Sequence, residues 1–284
     1  MTDVTRTFPP GGPWAYFKVY CGEMAADAIL HNEIARVVDA LAADGAITHW
    51  FFIRYVDPAH HLRVRFHLAD TAGWSTLLAR VKDALDEKVR DGLVWRMQFD
   101  TYERELERYG PDTMELSERL FHRESALVLG ALGLVHESAD ESLRWLFGLL
   151  AIERLLDDFG YDKRRQVDFL DRMRDAMLRE YRDPKALREQ INQKYRAERD
   201  RIVLASEGFL ALLQEWSRAT EQDRRELLQR AGEGRLDVPL DALVGSYLHM
   251  FCNRLFPTRQ RLHELVLYSF LAKQQRGRLA RQGS

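Results

Sequence analysis

The order in which two hydrophobic periods follow one another constrains this chain more than any other feature. "WAYFKVYCG" (14–22) is rich in aromatic and β-branched residues and reads as a strand. "MAADAILHNEIARVVDALAADG" (24–45) sets Ile29, Ile34, Val37, Val38 and Leu41 broadly on one helical face, with Gly45 as a C-cap. "ITHWFFIRYVD" (47–57) reads as a second strand and Asp57-Pro58 as a turn. "HLRVRFHL" (61–68) is a third strand, "GWSTLLARVKDALDEKVRDG" (73–92) a second helix and "LVWRMQFDTY" (93–102) a fourth strand. The order β-α-β-β-α-β is the split βαβ, ferredoxin-like arrangement: a largely antiparallel sheet with both helices on one face. The rest reads as helical, roughly over 112–135, 139–158, 163–180, 184–218, 220–231, 237–255 and 258–280.

The fold expected is therefore α+β, an N-terminal ferredoxin-like antiparallel sheet packed on a larger, mainly helical C-terminal half. That half is expected to cover much of the open sheet face. Residues 1–13 are expected as a flexible leader, because Pro9, Pro10, Gly11, Gly12 and Pro13 block regular structure. Residues 14–110 would form the α+β subdomain and 111–284 the helical one.

Composition narrows the function classes. A formal net charge of −2 argues against a general nucleic-acid binder, and the basic tail "KQQRGRLARQGS" is read as a solvated terminus. Two distant cysteines, Cys21 and Cys252, suggest a reducing compartment and neither a disulfide scaffold nor a zinc site. The N-terminus lacks the apolar core of a secretion signal, and no apolar stretch approaches membrane-spanning length. The expectation is a cytoplasmic protein that engages no membrane.

Side chains alternate across a strand. In the third strand Leu62, Val64, Phe66 and Leu68 share one face, and His61, Arg63, Arg65 and His67 the other. Arg63 and Arg65 then stand about 7 Å apart. In the fourth, Leu93, Trp95, Met97 and Phe99 oppose Val94, Arg96, Gln98 and Asp100. A face carrying Arg63, Arg65 and Arg96 would suit a carboxylate, whose two oxygens match the guanidinium fork; alternation alone fits a solvated polar face equally. "TYERELERYG" (101–110) is dense in charge, and Arg104 and Arg108 there are also explained by weak helix-turn ion pairs. In "GSYLHMFCNRLF" (245–256), His249 sits in an apolar helical run with Asn253 on the same face. It is either a hydrogen-bonded core residue or a proton-transfer group. Glycine-rich phosphate loops, nucleophile elbows and HExxH are missing, and His60-His61 point to opposite faces of a strand. No metal and no cofactor are expected.

Together "WFFIRYVDPAHHLRVRF", "YERELERYG" followed by "ERLFHRESALVL", and "SYLHMFCNRL" resemble the C-terminal elimination domain of class I lantibiotic (LanB-type) dehydratases, also found as free-standing thiopeptide biosynthesis proteins. The resemblance runs from about Trp14 to about Leu271, with Pro111 standing where the family usually has a second glycine after Gly110. It implies one elimination-type domain overall. It also implies a lyase that removes glutamate from glutamylated Ser or Thr of a ribosomal precursor peptide, leaving dehydroalanine or dehydrobutyrine. A separate glutamylating partner protein would supply that peptide, and this chain would not bind tRNA. By match to the family's motifs, Arg63, Arg65, Arg108 and His249 would be catalytic, with Arg104 in reserve for Arg108. Arg54, Arg96, Glu124, Ser125, Asn253 and Arg254 would bind substrate or frame the pocket. Two alternatives stay open: a thiopeptide [4+2] pyridine synthase on the same scaffold, and a non-catalytic leader-peptide-binding subunit.

Overall fold

The structure is a computed structural model and describes residues 4–198 and 207–282. Strands β1 (Thr7–Phe8), β2 (Trp14–Cys21), β3 (Ile47–Val56), β4 (His60–Leu68), β5 (Val94–Phe99) and β6 (Tyr102–Glu103) form two sheets. The larger has the order β3-β4-β2-β5, every pair antiparallel, as a split βαβ unit requires. The smaller pairs β1 with β6, so part of the expected leader is a strand in register with residues 102–103. Residues 1–3 lie outside the described residues.

The first crossover is α1 (Glu23–Ala28), a π-helical turn (Ile29–Ile34) and α2 (Ala35–Ala43); the second is α3 (Trp74–Arg90). Their apolar stripes, Ile29, Leu30, Ile34, Leu41 and Leu77, Val81, Leu85, are buried in one core with Leu62, Val64, Phe66 and Leu68 of β4. Burying these side chains is the main force holding helices to sheet, each contributing about 1.5–3 kcal/mol. One position departs from simple alternation. A bulge opposite Tyr20/Cys21 makes Trp95 the extra residue of β5, so Val94 turns inward opposite Cys21 and is fully buried, while Arg96 stays opposite Tyr20.

After α4 (Leu106–Tyr109), Gly110 adopts φ +75°, and a Cβ there would lie 2.8 Å from Asp112 Oδ1. The turn before Pro111 thus needs glycine at its first position only. The helical half follows as α5 (Met114–Ser138), α6 (Ser142–Asp158), α7 (Lys163–Leu178), α8 (Pro184–Glu198), α9 (Glu207–Ala219), α10 (Glu221–Gly232), α11 (Leu240–Leu255) and α12 (Gln260–Gln282). The single helix expected over 184–218 corresponds to α8 and α9, and its stretch 199–206 lies outside the described residues.

The helical half grips the sheet along one edge and also covers part of its open face, where Phe121 of α5 packs on Phe51 of β3 with ring centres 5.4 Å apart. On β3, Asn253 of α11 accepts from Arg54 N and donates to Arg54 O, both at 2.9 Å, so an amide side chain mimics a pairing strand. Ser125 of α5 accepts from Phe52 N at 3.3 Å, and His122 Nδ1 lies 3.3 Å from Trp50 O. These bonds satisfy polar groups that would otherwise be buried unpaired.

Asn253→Ala strips both partners from Arg54's backbone, and a loss of stability of about 2–3 kcal/mol is expected. Urea unfolding followed by circular dichroism measures it. Asn253→Asp, which turns a carboxylate oxygen towards Arg54 O where the donor stood, should cost at least as much.

Candidate functional site

Alternation along β4 and the register with its neighbours build one charged face. Arg65 lies opposite Tyr16 and Phe51, and Arg63 opposite Lys18 and Ile53. Arg65 is 7% exposed, and its guanidinium lies over three rings: Tyr16 at 4.3 Å, Tyr102 at 4.9 Å and Phe51 at 5.2 Å. Burial depresses its pKa, and among the described residues no hydrogen-bond partner reaches its buried Nε. Arg63 stands on the more open part of the same face, its guanidinium 3.4 Å from the Tyr55 ring centre and its Nε donating to His61 Nε2 at 3.2 Å.

A narrow cavity between this face and the helices is lined by Arg65, Tyr102, Glu105, Tyr109, Met250 and Arg254, among others. Arg254 enters from α11 and is fully buried. Its Nη1 donates to Glu124 Oε2 of α5 at 2.7 Å, while its Nε and Nη2 have no partner among the described residues. Burial pushes the Glu124 carboxyl up to about 7 against the pull of Arg254. Two buried guanidiniums, one from each half of the molecule, thus present unpaired N–H groups at one cavity. Leaving such donors unpaired costs free energy, and an oxyanion would satisfy them.

Arg108 joins from the rim. Its Nη1 lies 3.4 Å from Glu105 Oε2, and its Nε donates to Ser246 Oγ of α11 at 3.2 Å. One turn on from Ser246, His249 bonds through Nδ1 to Glu264 Oε2 of α12 at 2.9 Å. Glu264 is fully buried and also accepts from Tyr268 Oη at 3.0 Å. A carboxylate that holds Nδ1 leaves Nε2 as the nitrogen for proton transfer, and His249 is partly open to solvent. On α11, His249 directly precedes Met250 of the cavity wall.

Several residues named from sequence lie elsewhere. Arg54 alternates to the opposite face of β3. Its Nε donates to Arg254 O at 2.9 Å and its Nη2 to Asp27, while Arg144 binds the same aspartate and donates to Leu255 O at 2.8 Å. Burial alone would raise the Asp27 carboxyl, but the two guanidiniums outweigh it and hold it below the usual range. This group caps the C-terminal carbonyls of α11 and takes Arg54 out of the site. Arg104 is buried in a two-pronged pair with Glu118, at 2.8 and 2.6 Å, and donates to Thr5 O. Asn253 and Ser125 spend their polar atoms on β3's backbone and, for Ser125, on Phe121 O. Arg96 is exposed on β5, over Tyr20 at 5.5 Å.

From sequence Glu105 was read only as a helix-turn ion-pair residue, which its contact with Arg108 fits, and Glu264 was missed. Glu264 lies 15 residues from its histidine on another helix, and no local pattern announces it. Among the described residues no group of three or more His, Cys, Asp or Glu is placed to hold a metal ion, and no helix is long and apolar enough to cross a membrane.

Comparison with known proteins places this geometry in context. The model of the family described as lantibiotic biosynthesis dehydratase C-term matches residues 14–274. The chain is 28% identical over 264 residues to the subtilin biosynthesis protein SpaB of Bacillus subtilis, covering 91% of this chain and 25% of SpaB. It is 27% identical over 134 residues to the nisin biosynthesis protein NisB of Lactococcus lactis subsp. lactis, 46% of this chain and 13% of NisB. In fold it is similar to the tRNA-dependent lantibiotic dehydratase MibB of Microbispora sp. 107891, with TM-score 0.72 and 24% identity over 96% of this chain and 29% of MibB. It is also similar to TbtD, a pyridine synthase from thiomuracin biosynthesis, with TM-score 0.69 and 17% identity over 92% of this chain and 98% of TbtD. The chain therefore spans about a quarter of the length of SpaB and less of NisB.

The Glu124–Arg254 pair gives a pH-dependent prediction. Arg254→Ala removes the cation beside a carboxyl already raised to about 7, so its folded pKa rises further, and at pH 7.5 the titrating part of the cost is about 1 kcal/mol. The stranded carboxyl has a raised folded pKa, so its penalty grows as pH rises above the unfolded value and shrinks as pH falls towards it. Denaturation midpoints of the variant and the parent should therefore converge between pH 7.5 and 5.

Proposed function

The chain belongs to the lantibiotic biosynthesis dehydratase C-terminal family, and we propose that within it this protein is a glutamate-eliminating lyase. Its substrate would be a ribosomal precursor peptide bearing glutamylated serine or threonine. A separate protein would add the glutamate, and the cytoplasm is the setting that goes with this reading. The observation that carries it is the meeting of the buried, incompletely paired guanidiniums of Arg65 and Arg254 at one cavity.

β-Elimination takes the Cα proton, forms the Cα=Cβ bond and breaks Cβ–O, and glutamate leaves as a carboxylate. Negative charge grows on the amide oxygen as the proton departs and on the ester oxygens as the bond breaks. Fixed cations screened from water stabilise both, since they need no reorganisation as charge develops. In this reading Arg65 and Arg254 hold the leaving carboxylate. Arg108, steadied by Glu105 and Ser246, holds the substrate at the rim, and Arg63 steers it over the open face. His249, oriented by Glu264, handles the proton through Nε2.

The alternative reading, a [4+2] pyridine synthase, draws on the fold likeness to TbtD, almost all of whose chain is matched. That reaction expels no glutamate and gives two buried arginines at one cavity no carboxylate to hold.

Mass spectrometry of a leader-bearing peptide with a glutamylated serine, incubated with the purified protein, is expected to show loss of glutamate and formation of dehydroalanine. His249→Ala should slow turnover about 10²–10⁴-fold, and Arg65→Ala about 10²–10³-fold, with peptide binding retained. An unchanged glutamylated peptide, together with ring formation and leader release from a bis-dehydroalanine peptide, would replace elimination by cycloaddition.

A further inference from the structure

The sheet has two edges, and they are treated differently. The helices seal β3, whereas among the described residues β5 pairs only with β2. Asp100 N donates to Tyr16 O at 3.1 Å, and Phe17 lies opposite Phe99. Antiparallel alternation then turns the N–H and C=O groups of Met97 and Phe99 away from β2, towards the open side. Exposed apolar side chains gather beside this edge. Of nine large exposed hydrophobics among the described residues, Leu78, Val89, Leu93, Trp95 and Phe99 lie on α3, on β5 or between them. Open strand edges with apolar flanks are templates for pairing.

We propose that the β5 edge binds a second copy of this chain, joining two sheets across a twofold axis. The edge is complementary to itself. Antiparallel pairing that sets Gln98 against Gln98 of the second copy puts Met97 opposite Phe99, and both of those residues turn their backbone groups outward. The same register sets Arg96 directly opposite Asp100 of the second copy, twice by symmetry. Arg96, Gln98 and Asp100 share one face, so these opposite charges meet across the pair, at a spacing of about 4.5–5.5 Å between Cβ atoms. Among the described residues no carboxylate pairs with Arg96, whereas Asp100 pairs with Lys18 and keeps an exposed flank. Residue i meeting j, and j meeting i, is the mark of an isologous dimer interface. The proposal does not depend on the reaction assigned above.

Sedimentation equilibrium of the full chain tests it. A concentration-dependent dimer is expected. Arg96→Asp and Asp100→Arg should each weaken dimerisation at least tenfold, because each sets like charges across the axis. An equimolar mixture of the two variants should restore it, since each then meets its complement. Met97→Pro, which removes an outward N–H and leaves the β2 ladder whole, should also weaken it; circular dichroism checks the fold of each variant. A monomer at all concentrations up to about 200 μM overturns the proposal, as does a dimer indifferent to these changes or variants that fail to recover on mixing. Loss of binding to a precursor peptide or to another protein, without change in a dimer, would reassign the edge to that occupant.

Discussion

The outer edge of β3 is the constraint on which the rest of the molecule depends. Arg54, Phe52 and Trp50 offer backbone groups there that no strand takes up. Asn253, Ser125 and His122 take them up instead. The bond from Asn253 fixes α11 against the sheet in height and rotation. Arg254, the next residue, is thereby turned to the cavity that Arg65 enters from β4. Without that seam the two guanidiniums would belong to separate bodies.

Electrostatics across the seam is deliberately uneven. Around Asp27, two arginines share one carboxylate and two helix-end carbonyls, and of the Arg54 nitrogens only Nη1 is buried without a partner among the described residues. Of Arg65 and Arg254, only Arg254 reaches a buried carboxylate, Glu124, and buried N–H groups of both go unpaired among the described residues. Similar residue types thus give a structural joint at one end of α11 and a less completely paired cluster beside it. What separates them is the supply of acceptors.

The strand period made much of this legible. Alternation placed Arg63 and Arg65 on the face opposite Leu62, Val64 and Phe66, and the register bears this out. The β-α-β-β-α-β order carried the sheet topology. Alternation failed at Val94, where a bulge inserts Trp95, because a bulge depends on the partner strand. Arg54 and Asn253 were assigned to the pocket although their polar atoms are taken up by α11's end and by β3's backbone. Motif proximity cannot tell a side chain that faces the cavity from its neighbour that holds the wall. Glu264 was invisible because its contact with His249 exists only once α11 and α12 have packed.

The seam also bears on how such a scaffold changes its chemistry over evolutionary time. Asn253 and Ser125 grip β3 by its main chain, which every sequence shares. On the outward-facing side chains of β3 and β4 the joint asks for packing, as of Phe51 on Phe121, and leaves the polar positions freer to drift. Fold likeness persists at TM-scores of 0.72 and 0.69 while identity falls to 24% and 17%. A frame clamped in this way behaves like a socket with interchangeable fittings: the lock is indifferent to what the cavity is lined with, and new catalytic repertoires become reachable by a few substitutions.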